Sequence, residues 1–285
     1  MTATAFGLVL FAALLHASWN SVVKAAGDKG AATSLIAGTA GLLAAMLLPV
    51  LPQPDAASWP FIAASAVLQV VYFLLVAWTY QVADLSRAYP LMRGVAPLLV
   101  SAASLLMPGE RLPSAAWAGI GLICLGVLTM ARPGGARGSS GDLGGGTRGT
   151  GMALATAVVI AAYTLIDGTG VRLSGAPASY TLWVFLLTGL PLTAWALARQ
   201  RRGFLAHARE NWRFGLIGGA GTVTSYGLAL WAMTFAPVAL VSALRETSIL
   251  FAMAMSRFLL GERFGPSRVV SGCLIACGAV ALRLA

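Results

Sequence analysis

Three short polar constellations interrupt an otherwise apolar chain, and each offers different chemistry. His16, Asn20 and Lys24 fall at i, i+4 and i+8, one face of a helix, with Trp19 beside them. Such a stripe can line an aqueous path and hydrogen-bond a polar ligand. Alternatively, His16 and Asn20 bond neighbouring helices while Lys24 reaches to the membrane interface. Tyr89 and Arg93 stand one turn apart between Pro90 and Pro97. Arg93 suits a ligand carboxylate through a bidentate contact, and Glu246 is the competing fixed partner. The densest run is Ser242, Arg245, Glu246, Thr247 and Ser248. Glu246 reads as the one carboxylate well inside an apolar segment, able either to exchange a proton or to brace an arginine.

Aromatic residues accompany these runs: Trp19, Tyr72, Phe73, Trp78, Tyr80, Tyr163, Tyr226 and Trp231. Mid-segment rings are expected to wall a pocket for amphipathic solutes, or to be plain core. Those nearer segment ends, Trp59, Trp183 and Trp212, suit an interfacial belt. Asp84, Asp167 and two Gly-Glu-Arg triplets lie near segment ends, where capping or loop ion pairs explain them. Gly215 and Gly219 have the spacing of close helix packing. No HExxH, phosphate-binding loop or GxSxG elbow occurs. Cys124, Cys273 and Cys277 form neither a disulfide framework nor a metal-ligand pattern. No cofactor and no metal are expected.

The elements that position these residues follow from composition. Of 285 residues, 58% are hydrophobic and only 10% charged, and mean hydropathy is +0.82. A soluble domain carries about a quarter charged residues, so this chain belongs in lipid. Its net charge of +10 resides in short gaps between apolar runs, which argues against a nucleic-acid surface. Runs of about 20 apolar residues are needed to cross the hydrocarbon core. Ten such segments are predicted, roughly 3–25, 31–51, 59–82, 86–107, 114–131, 151–171, 178–198, 213–234, 238–260 and 267–284. The first runs on through Trp19 to Val23 without a preceding cationic region, as a membrane helix rather than a cleaved leader. The expected fold is thus an all-α integral membrane protein.

A Gly/Ser-rich linker, 132–150, divides the chain into five segments before it (1–131) and five after it (151–285). A shift of 152 residues lays Arg93 on Arg245, Gly109-Glu110-Arg111 on Gly261-Glu262-Arg263, Leu122-Ile123 on Leu274-Ile275 and Gly126 on Gly278. This points to a duplication. Five is odd, so the second unit would insert opposite to the first, giving two inverted five-helix repeats. Loops after odd-numbered segments hold thirteen Lys and Arg residues, those on the other side Arg111, Arg172 and Arg283. That bias predicts both termini on the non-cytoplasmic side.

With these features the chain resembles the drug/metabolite transporter superfamily, in its ten-helix EamA-type branch. The resemblance rests on the five-plus-five organisation and on Gly-Glu-Arg steps before glycine-containing helices. It also rests on the stretches 16–24 (HASWNSVVK), 89–97 (YPLMRGVAP) and 243–251 (ALRETSILF). The commoner form of this branch shows Glu-Pro in the repeated helix, where this chain has Arg93-Gly94 and Arg245-Glu246-Thr247. The resemblance implies a secondary transporter of the bacterial inner membrane, exporting amino acids or related small metabolites by alternating access through a central cavity; a monomer is compatible with the sequence, which does not fix the oligomeric state. In that cavity Arg93 and Arg245 would attract carboxylates, and His16, Asn20 and Ser242 would hydrogen-bond. Trp19, Trp78, Tyr80, Tyr89, Tyr163 and Trp231 would pack against the solute, with Glu246 nearby. An intramembrane enzyme would need a convergent nucleophile–base or metal set, which the sequence lacks. A passive channel or receptor is the further alternative.

Overall fold

Hydrocarbon offers no water to backbone N–H and C=O groups, so an apolar chain closes its hydrogen bonds within helices. The computed structural model describes residues 1–24, 29–83, 85–106, 112–131, 147–259 and 264–285. Regular structure among them is all helical. The helices are α1 (Ala3–Lys24), α2 (Lys29–Leu47), α3 (Trp59–Val82), α4 (Leu85–Ser104), α5 (Ser114–Thr129), α6 (Thr147–Leu173), α7 (Pro177–Met233), α8 (Val238–Arg245), α9 (Ser248–Leu259) and α10 (Pro266–Leu284). Seven described stretches of helix are long and apolar enough to cross a membrane. Asp84, both Gly-Glu-Arg triplets, residues 132–146 and the side chains of Lys24 and Tyr80 lie outside the described residues.

The predicted segments differ from these helices in three places. The seventh and eighth fall within the single 57-residue α7, whose backbone leaves helical geometry at Gln200 (φ −146°, ψ 56°) and Asn211 (φ −115°, ψ 19°). The intervening residues, expected as a loop, are helical because Ala, Leu, Arg and Glu favour that state. The ninth segment is divided between α8 and α9. There Glu246 N–H donates to Ala243 O at 3.0 Å and Thr247 N–H to Leu244 O at 3.1 Å. The chain thus tightens to i→i−3 bonding for one turn, a feature often found at functional hinges. The Thr247 hydroxyl also donates to Leu244 O at 2.7 Å. Finally, α6 starts at Thr147, inside the expected linker. Gly149 lets this first turn approach α3, where a Cβ would stand 2.8 Å from that of Ala83.

Lipid tails are as apolar as leucine, so helix association relies on close packing and on small residues at the contacts. The α5–α10 contact shows this directly. A Cβ built at Gly126 would lie 2.8 Å from Ser271 O, and one at Gly278 would lie 2.7 Å from Gly119 O. Gly119 faces the later part of α10 and Gly126 the earlier part, so these helices run antiparallel. Helix α2 likewise runs antiparallel to the first arm of α7 (177–199), with Gly38 against Thr193 and Gly41 against Gly189. It meets the second arm (212–233) through Gly215 at Leu35 and Gly219 at Thr39, as the GxxxG spacing anticipated.

Two further pairings complete the bundle. Helix α1 lies against the second arm of α7 and against α9, and α6 lies against α3 and α4. In the first, the Ser225 hydroxyl donates to Ala12 O at 2.9 Å. Buried serines and threonines mostly return their hydroxyls to their own helices, as Thr156 to Met152 O and Thr164 to Ile160 O.

Candidate functional site

Helix α4 carries two internal prolines. Pro97 has no N–H, so the carbonyl of Arg93 loses its intrahelical donor and the helix is weakened at that turn. Opposite it stands the tight turn between α8 and α9. From these two irregular points Arg93 and Glu246 meet in a two-pronged ion pair. Arg93 Nε donates to Glu246 Oε2 at 3.0 Å, and Nη2 lies 2.8 Å from Oε1. The side chains are 11% and 5% exposed. Parallel bidentate geometry of this kind is the strong form of the contact. Of the two partners the sequence allowed for Arg93, Glu246 is the one it meets in this structure.

The repeat-related Arg245 is held differently. Its guanidinium carbon lies 5.0 Å from the centre of the Tyr226 ring. Among the described residues it makes no ion pair and no side-chain hydrogen bond. The Tyr226 hydroxyl donates to Asp167 Oδ2 at 2.5 Å, and Tyr180 donates to Asp167 Oδ1 at 2.9 Å. Asp167 is wholly buried and within Coulombic reach of Arg245. Tyr226 therefore links a buried anion through its hydroxyl to a cation through its ring face.

Around this charge lattice runs a chain of aromatic contacts. Tyr72 meets Tyr163 at 5.9 Å, Tyr163 meets Tyr226 at 6.5 Å, and Phe185 meets Tyr226 at 5.9 Å, all edge-to-face, the arrangement their quadrupoles favour. His16, Tyr72 and Tyr89 all lie within Coulombic reach of both Arg93 and Arg245. His16 also stands edge-on to Trp19 at 5.3 Å. The Trp19 indole N–H is buried and lacks an acceptor among the described residues, although a buried indole usually finds one. Ser242 is buried one turn before Glu246.

Three predicted site residues stand apart from this group. Trp78 and Trp231 are 54% and 52% exposed. Trp78 shares its stripe with Val67, Val71 and Leu74, all exposed and spaced at helical period on α3. Trp231 packs on exposed Phe235. Among the described residues, neither ring has a ring contact or hydrogen bond with the Arg93, Glu246 or Tyr226 side chains. Asn20 donates to His16 O at 2.8 Å, a bond within its own helix. Tyr80 falls outside the described side chains.

Asp167 and Tyr180 join the site without being candidates from the sequence, where Tyr226 and Tyr72 stand only among the aromatic residues. Asp167 lies six residues before the end of α6 at Leu173, and there it is buried against two phenols instead of capping the helix or pairing with a loop. The available signal was its surroundings: apolar residues on both sides and Tyr163 one turn earlier. Among the described residues there is no cluster of His, Cys, Asp and Glu able to hold a metal ion.

Comparison with known proteins agrees with this architecture. A solved crystal structure of a protein matches with a TM-score of 0.78 at 20% identity, covering 100% of this chain and 98% of the other, a likeness of fold. No curated protein matches in sequence. The model of the EamA-like transporter family matches residues 3–132 and 147–284. Proteins of this family are membrane transporters of small molecules, not enzymes. The chain is thus a multi-pass membrane protein, and it belongs to the EamA-like transporter family.

Proposed function

We propose that this protein is a secondary transporter of the bacterial inner membrane that exports amino acids or similar zwitterions by alternating access. The observation that carries this reading is Arg245. It is a cation deep in the bundle, held against an aromatic face, with no carboxylate bound to it among the described residues. Its counterpart Arg93 is neutralised by Glu246. A site with one ion pair closed and one guanidinium open suits a solute carboxylate. The ammonium group of the same solute faces Glu246, while Tyr72, Tyr163 and Tyr226 contact its side chain. His16, Ser242 and the unsatisfied Trp19 N–H supply hydrogen bonds.

Two inverted five-helix units, 1–131 and 151–285, are the framework of the proposal. Helices in equivalent positions, α5 with α10 and α2 with the first arm of α7, run antiparallel. Contacts also exchange under the repeat: α1 lies on the second arm of α7 and on α9 as α6 lies on α3 and α4. Gly126 meeting Ser271 becomes Gly278 meeting Gly119 when each position moves by 152. Such a scaffold reaches its opposite-facing state when the two units exchange conformations.

The test compares phenylalanine with phenethylamine, the same molecule without its carboxylate, in proteoliposomes. Phenylalanine is expected to be carried and phenethylamine to be refused. Arg245→Gln should weaken phenylalanine affinity by about 10- to 100-fold, the value of a charge-assisted contact of about 1.5–3 kcal/mol. Equal handling of both solutes, or full affinity in Arg245→Gln, overturns the assignment of Arg245.

A further inference from the structure

The two backbone departures at Gln200 and Asn211 isolate 201–210 as a short helix between the arms of α7. Its exposed side includes Arg201, Arg202, Arg209 and Glu210. Arg199 stacks over Trp195 at 5.5 Å and Arg213 over Trp212 at 5.4 Å, and both tryptophans are about half exposed. Basic side chains stacked on amphipathic indoles belong at headgroup level. The stretch 199–213 carries five arginines against one glutamate. Phe204 turns the other way. It closes one end of a groove of about 360 Å³ between α2 and the first arm of α7.

That groove is apolar and cut deep by glycine. Leu35, Gly38, Leu42 and Ala45 line it from α2, with Gly189 and Leu190 opposite. From Leu35 to Ala45 it extends about 15 Å at the helical rise, which is the depth of one leaflet of a hydrocarbon core of about 30 Å. It starts beneath Phe204, one turn from exposed Arg201. An acyl chain in the groove would therefore leave its phosphate level with the arginines.

We propose that this groove and the basic helix above it form a binding site for an anionic phospholipid, with one acyl chain between α2 and α7 and the headgroup phosphate on Arg201 and Arg202. Charge complementarity selects an anionic over a zwitterionic lipid, since each basic residue near an anionic surface contributes about 1 kcal/mol. The site is separate from the Arg93–Glu246 cluster and stands whether or not the substrate assignment does.

Native mass spectrometry of the purified full chain, supplied with phosphatidylglycerol and phosphatidylcholine, tests it. Wild type should retain phosphatidylglycerol about tenfold more strongly, for two arginines partly screened. Arg201→Gln/Arg202→Gln should bring it to the phosphatidylcholine level. Ala45→Trp, which fills the groove from its exposed rim, should weaken both lipids alike. Both changes lie on exposed positions, so the fold is kept. Equal retention of the two lipids by wild type overturns the proposal. So does a preference that survives the arginine changes, complete displacement by inorganic phosphate, or a protein dimer in which Ala45→Trp breaks the association.

Discussion

Arg93 and Arg245, 152 residues apart in the sequence, have different surroundings. Arg93 is matched atom for atom by Glu246, so either partner alone is a buried charge without compensation. Arg93→Gln and Glu246→Gln should each lower stability by about 3–5 kcal/mol, while the double change should recover much of the loss. Thermal unfolding of the four proteins in one detergent measures this; additive losses would show that the pair is not coupled. A second expectation concerns Asp167. Asparagine offers one acceptor oxygen where aspartate offers two, so one of the two buried phenols can no longer donate to this side chain and must turn to accept from its amide. Asp167→Asn should therefore cost about 1–3 kcal/mol, and Tyr180→Phe in that background should cost less than in wild type. The sequence made Arg93, Arg245 and Glu246 visible because charge inside apolar runs is costly. It could not say which arginine Glu246 would take, since that depends on where α4 and α8 cross. Asp167 is not legible as a site residue because its two phenol partners, Tyr180 and Tyr226, come from a different helix and only packing brings them together. For Trp78 and Trp231 the sequence cannot say which surface of the helix the ring serves, because an aromatic ring suits either face and packing decides.

At the scale of elements, segment lengths were legible and their edges were not. Apolar length is imposed by bilayer thickness, whereas edges depend on local contacts such as Gly149 against Ala83. The helical stretch between Gln200 and Asn211 was read as a loop because its charge outweighed its good helix formers. The aligned arginines and Gly-Glu-Arg triplets carry the repeat signal in the sequence, while Gly126 and Gly278 show in the structure how closely α5 and α10 approach. Gly126→Val should be strongly destabilising, beyond the roughly 1–3 kcal/mol of ordinary overpacking, because the added carbon meets backbone that cannot yield. Gly121→Val is the control: a Cβ there meets nothing within 4 Å. Expression and melting temperature should fall sharply for the first and stay near wild type for the second. Equal behaviour would remove close packing as the reason for glycine at 126.

For the whole molecule, the claim is that two oppositely inserted bundles enclose a site reached alternately from either side. A binding cluster of opened and closed charges, Arg245 beside Arg93–Glu246, then moves with its solute instead of merely lining a hole. Counterflow measures that difference most directly. Proteoliposomes are loaded with unlabelled phenylalanine and diluted into a trace of labelled phenylalanine. A carrier that exposes one site at a time returns inward loaded with label, so labelled phenylalanine should rise transiently above its equilibrium level and then decline. A smooth approach to equilibrium with no overshoot, by a protein that does pass phenylalanine, would contradict alternating access and leave a channel.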